Sequence, residues 1–332
     1  MAQLIKLQDY ISRYQVDLTR YPTQFIRLKK GQWERVKKEW EQGGDIPTWE
    51  HIEEEQQITS RFTIFKKFFP KRFQKEELKS EDIEKVDTTN ELTGDAYIPD
   101  DEIALHFEAN ILYQPKTLQE LKKMYLDQFF HFQMKWASST LREKSYIDPK
   151  YMRDSLLRTL LQSLPDNYLL LYYPIIKLKN APVELDVIII TPTECYCITV
   201  VENEDQAVYI GSGDRFWMKK VGTENKKVLN PMIQLDRMET ILKQIFSTAQ
   251  VSIPVRKILL SRNGYIDYPG SVYNVQFVDK RKFSEWMGSI RKSYSPMKHM
   301  QIRAAQAILD YAQTTSFNRD IWKTHEEVEE NE

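Results

Sequence analysis

Glu184-Leu185-Asp186-Val187-Ile188-Ile189-Ile190 decides how the chain is read. The apolar run from Val187 has the length and branching of a strand buried on both faces. Two carboxylates stand at its start, and in a strand residues i and i+2 point to the same face. Unpaired carboxylates at the edge of a core are costly, so the pair needs a reason. A hard divalent cation is one. Salt bridges to basic helices are another. The triplet by itself leaves both open.

Working outward, Asp154 to Leu164 has helical spacing and stops at Pro165. Strands are expected at Tyr168–Tyr173, at Val183–Ile190 as one piece, and at Tyr196–Val201. Residues 207–220 suggest further strand, with Gly211-Ser212-Gly213-Asp214 as a turn. Asn230-Pro231 opens a helix running to Phe246, the Asn suited to cap and the Pro to the first turn. Val255–Leu260 and Val275–Val278 read as strands, and residues 280–293 and 297–313 as helices. The expected fold is α/β, a mixed sheet flanked by helices and preceded by a mainly helical N-terminal region.

In the opening forty residues, Leu4, Leu7, Ile11, Tyr14 and Leu18 recur at helical spacing until Pro22. Phe25, Leu28, Val36 and Trp40 continue in a second helix that stops at Gly43-Gly44. Such a hairpin packs on itself or forms a seam for a protein partner or a second copy. The basic, phenylalanine-rich segment 61–73 has three readings: a helix docking on the protein, a peripheral contact with an anionic membrane, or a stacking surface for single-stranded nucleic acid. A long helix is expected over 117–143, with His131 off its apolar stripe.

Net charge is +5 over residues 1–75, −10 over 76–110, +8 over 111–322 and −4 over the last ten. The acidic block reads as a linker. The division is then an N-terminal helical region (1–75), the acidic linker (76–110), a connecting long helix (111–149), an α/β domain (150–295), and a C-terminal helix with an acidic tail (296–332). No apolar run approaches the length of a membrane span. The start lacks the apolar core of a signal peptide. Two cysteines cannot build a disulfide scaffold, and a reducing cytoplasm is the expected setting. Cys195 and Cys197 read as buried apolar residues, since a zinc site needs further ligands. No Gly-rich phosphate loop, Gly-x-Ser-x-Gly elbow or His-Glu-x-x-His is present.

An ordered set of features resembles the NERD family, the nuclease-related domain of the restriction-endonuclease-like class. These are Leu164-Pro165 ending a helix, Glu184-Leu185-Asp186, Cys195-Tyr196-Cys197-Ile198, Phe216-Trp217, Asn230-Pro231 with Gln234, and the strand from Pro254 to Leu260. The resemblance covers about residues 150–265. It implies a centre where acids hold Mg²⁺, which activates water against a phosphodiester of DNA, helped by a lysine in a Glu-x-Lys motif. This chain has Thr199-Val200-Val201 there, so neither the acid nor the cation is in place.

The resemblance implies Asp154 and Asp186 as metal ligands, Asp154 standing near a family Glu. Glu184, Asp186, Glu202 and Gln234 are its catalytic candidates. Glu202 faces away from Thr199 and Val201 in a regular strand and enters only through a bulge or the strand end. Lys177, Lys179, Lys219 and Lys220 are candidates for a migrated lysine. Lys219, Lys220, Lys226 and Lys227 are candidates for phosphate contact. The expectation is a nuclease-fold protein with a degenerate centre, binding nucleic acid or a protein partner. The alternatives are an active Mg²⁺-dependent DNA nuclease, or a membrane- or complex-associated scaffold.

Overall fold

The computed structural model describes residues 1–43, 107, 109–140, 143–179, 181–202, 204–270, 274–292 and 295–315. The aromatic segment 61–73, most of the acidic block and the acidic tail lie outside them.

The first correction comes at the start. Residues Gln3–Leu7 form a strand, β1, and only Arg13–Val16 form a short helix, α1. All five residues of β1 are buried. A strand covered on both faces shows no alternation, and its Leu4–Leu7 spacing imitates a helix. The second helix is α2 (Arg20–Glu41). Pro22 lies in its first turn, where no intrahelical N–H partner is lost, so it does not break the element. Gly43, with φ of 68°, follows its end.

Next come α3 (Leu118–Ala137), α4 (Pro149–Arg153) and α5 (Ser155–Ser163). Thr117 caps α3 by accepting from the Glu120 N–H, and Asp154 caps α5 by accepting from Leu156 and Leu157. The strands that follow are β2 (Leu169–Tyr172), β3 (Ile175–Lys177), β4 (Pro182–Glu184), β5 (Val187–Ile190) and β6 (Cys195–Val200). The single strand expected over Val183–Ile190 is thus two. It breaks at Leu185, whose N–H turns to the Pro174 carbonyl at 2.9 Å.

Then come β7 (Val208–Ile210), β8 (Phe216–Val221), β9 (Glu224–Leu229), α6 (Pro231–Thr248), β10 (Val255–Leu260), β11 (Tyr265–Asp267), β12 (Val275–Val278), α7 (Phe283–Arg291) and α8 (His299–Tyr311). Neither β9 nor β11 was visible in the sequence pattern.

Six strands form the central sheet in the order β1-β2-β5-β6-β10-β12. The pairs β1–β2, β6–β10 and β10–β12 are parallel; β2–β5 and β5–β6 are antiparallel. The sheet is therefore mixed, and β5 is the strand that reverses. Helix α6 packs on β6 and β10, α8 on β5, and α3 on β1 and α5. A second sheet, β11-β7-β8-β9, carries the hairpin, and β3–β4 pair alone. Among the described residues no helix is long and apolar enough to cross a membrane.

Candidate functional site

Asp186 occupies the break between β4 and β5, at the end of the sheet where β5 and β6 meet α6. Its Oδ2 accepts the Thr199 hydroxyl at 2.6 Å, and its Oδ1 accepts the Gln234 amide at 3.4 Å. Gln234 reaches it from the first turn of α6, fixed by the Asn230 cap and Pro231. Burial raises the Asp186 pKa above its ordinary value, against the pull of these two hydrogen bonds. Glu184 is exposed, and its pKa is raised by burial of its carboxyl and then by the charge of Asp186.

Asp154 is turned elsewhere. Its Oδ1 caps α5, and its Oδ2 accepts the Tyr172 hydroxyl at 2.6 Å. In register, Tyr172 pairs with Val187 and Val187 with Ile198. Partners in register share a face and successive residues alternate. Tyr172 therefore projects from the face opposite Thr199, and the two aspartates are held by donors of opposite faces.

Glu202 lies beyond the end of β6 and is clamped by Arg262. Both carboxylate oxygens accept from the guanidinium at 2.7–2.9 Å, and Oε1 also accepts the Arg262 backbone N–H at 2.6 Å. The same guanidinium donates to the Ser155 hydroxyl at 3.2 Å, tying the loop after β10 to the start of α5. Sequence reasoning missed Arg262, Tyr172 and the Thr199 contact. The only advance signal was that a polar Thr replaced an acid on a buried strand.

A hard divalent cation needs several oxygens with unoccupied lone pairs converging on one point. Here Asp154, Asp186 and Glu202 each answer to their own protein donors. Among the described residues no group of three or more His, Cys, Asp or Glu side chains stands where it could hold a metal ion. Asp154 and Asp186, the expected ligand pair, thus face different donors, the Tyr172 and Thr199 hydroxyls.

Replacing Thr199 by Val tests the contact that closes Asp186. Stability should fall by about 1–2 kcal/mol, because a buried carboxylate loses its shortest donor. The Asp186 pKa should rise further. Denaturant unfolding and a carboxyl-carbon NMR titration would read the two effects.

The four candidate phosphate-binding lysines do not form one patch. In register, Lys219 pairs with Lys226, Lys220 with Asn225, and Met218 with Lys227. The pleat therefore sends Lys219 and Lys226 to one side and Lys220 and Lys227 to the other. Lys219 is buried in an ion pair with Glu204 at 2.9 Å, and Lys226 pairs with Glu224 at 2.9 Å. Lys220 and Lys227 are exposed and share their face with Phe216 and Leu229, both at least half exposed. Arg215 lies over the Phe216 ring at 5.7 Å. Lys177 and Lys179 are exposed on and just after β3.

Comparison with known proteins agrees with the resemblance. Residues 152–261 match the family of nuclease-related domains. A stretch of 41 residues is 58% identical to an RNA 2',3'-cyclic phosphodiesterase of Geobacillus stearothermophilus, covering 12% of this chain and 13% of that protein. This chain thus spans only a small part of that relative. No solved structure matches the chain. Helix α5, the strands from β2 to β10 and the Asn230-capped α6 all fall within the matched residues. Over residues 152–261 the chain thus matches the NERD family of nuclease-related domains, which belongs to the restriction-endonuclease-like class.

Proposed function

We propose that this nuclease-fold chain no longer cleaves nucleic acid and instead binds it, through the outer face of the β8–β9 hairpin. The observation that carries the first half is the 2.6 Å hydrogen bond from Thr199 to Asp186, where a working centre would place a second metal-binding acid. Loss of an acid and a lysine, each worth about 2–4 kcal/mol of transition-state stabilisation, would slow cleavage by three orders of magnitude or more. Arg262, beyond the end of β10, is already engaged by Glu202.

For binding, Lys220 and Lys227 form no ion pair among the described residues and share a face with the exposed Phe216 ring. Cations beside an aromatic ring are the chemistry that holds a single strand: charge for the phosphates, a ring face for a base. The Geobacillus relative is named for an RNA phosphodiester, but 41 residues cannot carry an activity across.

The test is a cleavage assay on single- and double-stranded DNA with Mg²⁺, Mn²⁺ or EDTA, beside Asp186→Ala. No metal-dependent cutting is expected. Cutting that disappears in Asp186→Ala would establish the alternative, an active metal-dependent nuclease. In parallel, single-stranded DNA should bind with strong salt dependence. The Lys220→Glu, Lys227→Glu double variant should weaken that binding by about tenfold or more. Unchanged affinity would remove the hairpin from the reading.

A further inference from the structure

We propose that the cleft between α2, α3 and the C-terminal end of α5 is a binding site for a nucleotide-class ligand, a planar ring carrying phosphate. The cleft has a volume of about 470 Å³, within the range of small-molecule sites. Trp33 of α2 and Tyr125 of α3 line it, their ring centroids 5.3 Å apart with planes at 50°. The Tyr125 hydroxyl donates to the Lys29 carbonyl, which fixes that ring. Trp33 is only partly buried, so part of its indole surface is available to a ligand.

The charges around this wall are unbalanced. Lys29, Lys30, Lys122 and Arg291 line the cleft, against the single carboxylate of Asp166. Asp166 is bound to Lys29 at 2.8 Å. Lys30 only approaches Glu34, at 3.9 Å on the surface. Lys122 and Arg291 form no ion pair among the described residues and come from two elements far apart in sequence. Two uncommitted cations facing an aromatic wall suit a ligand with a π-face at one end and phosphate oxygens at the other.

The site is separate from the acid cluster. Asp154 caps one end of α5, and Gln162 to Asp166 line the cleft at the other. Nine residues at about 1.5 Å each set the two ends about 14 Å apart. The nuclease-fold reading is not needed for this inference.

The experiment titrates the full chain with AMP, ADP and ATP by calorimetry, and with adenosine, inorganic phosphate and octyl phosphate as dissected probes. At least one nucleotide should bind with a dissociation constant of about 100 μM or tighter. Adenosine and phosphate alone should bind at least about tenfold more weakly, because each makes only half the contacts. Trp33→Leu, and separately the exposed pair Lys122→Glu with Arg291→Glu, should each weaken binding by about tenfold or more, the charge-reversed pair with an unchanged thermal midpoint. Lys220→Glu with Lys227→Glu should leave it unchanged. No binding by any of the three nucleotides at about 1 mM would overturn the proposal. So would affinity indifferent to both cleft variants, or octyl phosphate binding as tightly as the nucleotides, which would assign the wall to an alkyl chain.

Discussion

Lys257→Ala should destabilise the protein by about 2 kcal/mol, because it leaves the buried Glu239 carboxylate with only the exposed Lys243 as its cation. Lys257 projects from β10 and pairs with Glu239 and Asp236 of α6, both at 2.8 Å. The Lys257 and Glu239 side chains are 10% and 13% exposed, while Asp236 is open to water, so most of the effect belongs to the Glu239 pair. Burial alone would pull the lysine's pKa down. The two carboxylates outweigh it, and the pKa stands above its ordinary value. Glu239 is held below the usual range despite its burial, by hydrogen bonds from Lys243 and Lys257. The sign for the acid follows from that direction. The stabilisation is present above the ordinary glutamate pKa and is lost as pH falls through the lowered one. Urea unfolding of wild type and variant at neutral pH and in mild acid would check both parts. Lys257→Met with Glu239→Leu should recover much of the loss; equal damage in single and double variants would contradict the account.

A second buried lysine behaves in the opposite way. Lys6 of β1 is 1% exposed, and its ammonium donates to the Tyr10 carbonyl, the Gln15 side chain and Thr314, at 2.7–3.0 Å. None of these acceptors carries a charge. Burial lowers its pKa to about 7, only partly opposed by Asp9. Between pH 7 and the ordinary lysine value, the unfolded chain binds a proton that the folded chain does not. Stability therefore rises with pH, at about 1.4 kcal/mol per pH unit. From pH 7 to 9 the gain should be about 2.5 kcal/mol. Above pH 9 an opposing loss begins, because burial raises Cys195 to about 12 and Cys197 well above its ordinary value, and the unfolded thiols ionise first. A stability maximum near pH 9 is the expected result. In Lys6→Met the rise from pH 7 to 9 should flatten. A profile of the same slope in the variant would remove Lys6 as its source.

The readable parts of the fold are those whose signal is local. Asp154 and Asn230 announce α5 and α6 because a cap acts within three residues. The strands Val255–Leu260 and Val275–Val278 stand at their expected bounds because their apolar runs end in polar or turn residues. Strand β9 was hidden because Glu224-Asn225-Lys226-Lys227 is polar on both faces and is a strand only through its pairing with β8. The candidate site divides in the same way. Its acids and the missing Glu-x-Lys are legible as residue types. What each acid binds is not. Arg262 meets Glu202 from 60 residues away, and Tyr172 meets Asp154 through a register that no local pattern states.

Strand β1 also has a history in time. It is made before every other strand of the described residues, yet its neighbour in the sheet is Leu169–Tyr172, and the segment that closes over Lys6 includes Thr314. During synthesis, Leu4, Ile5 and Leu7 have no strand partner until half the chain has followed them. Pairings of such long sequence separation close late and slow the folding reaction. The interval exposes a short unpaired apolar strand to other chains. Early truncation or ribosome pausing after α3 should therefore yield an aggregation-prone intermediate in which the helices form while the first strand waits.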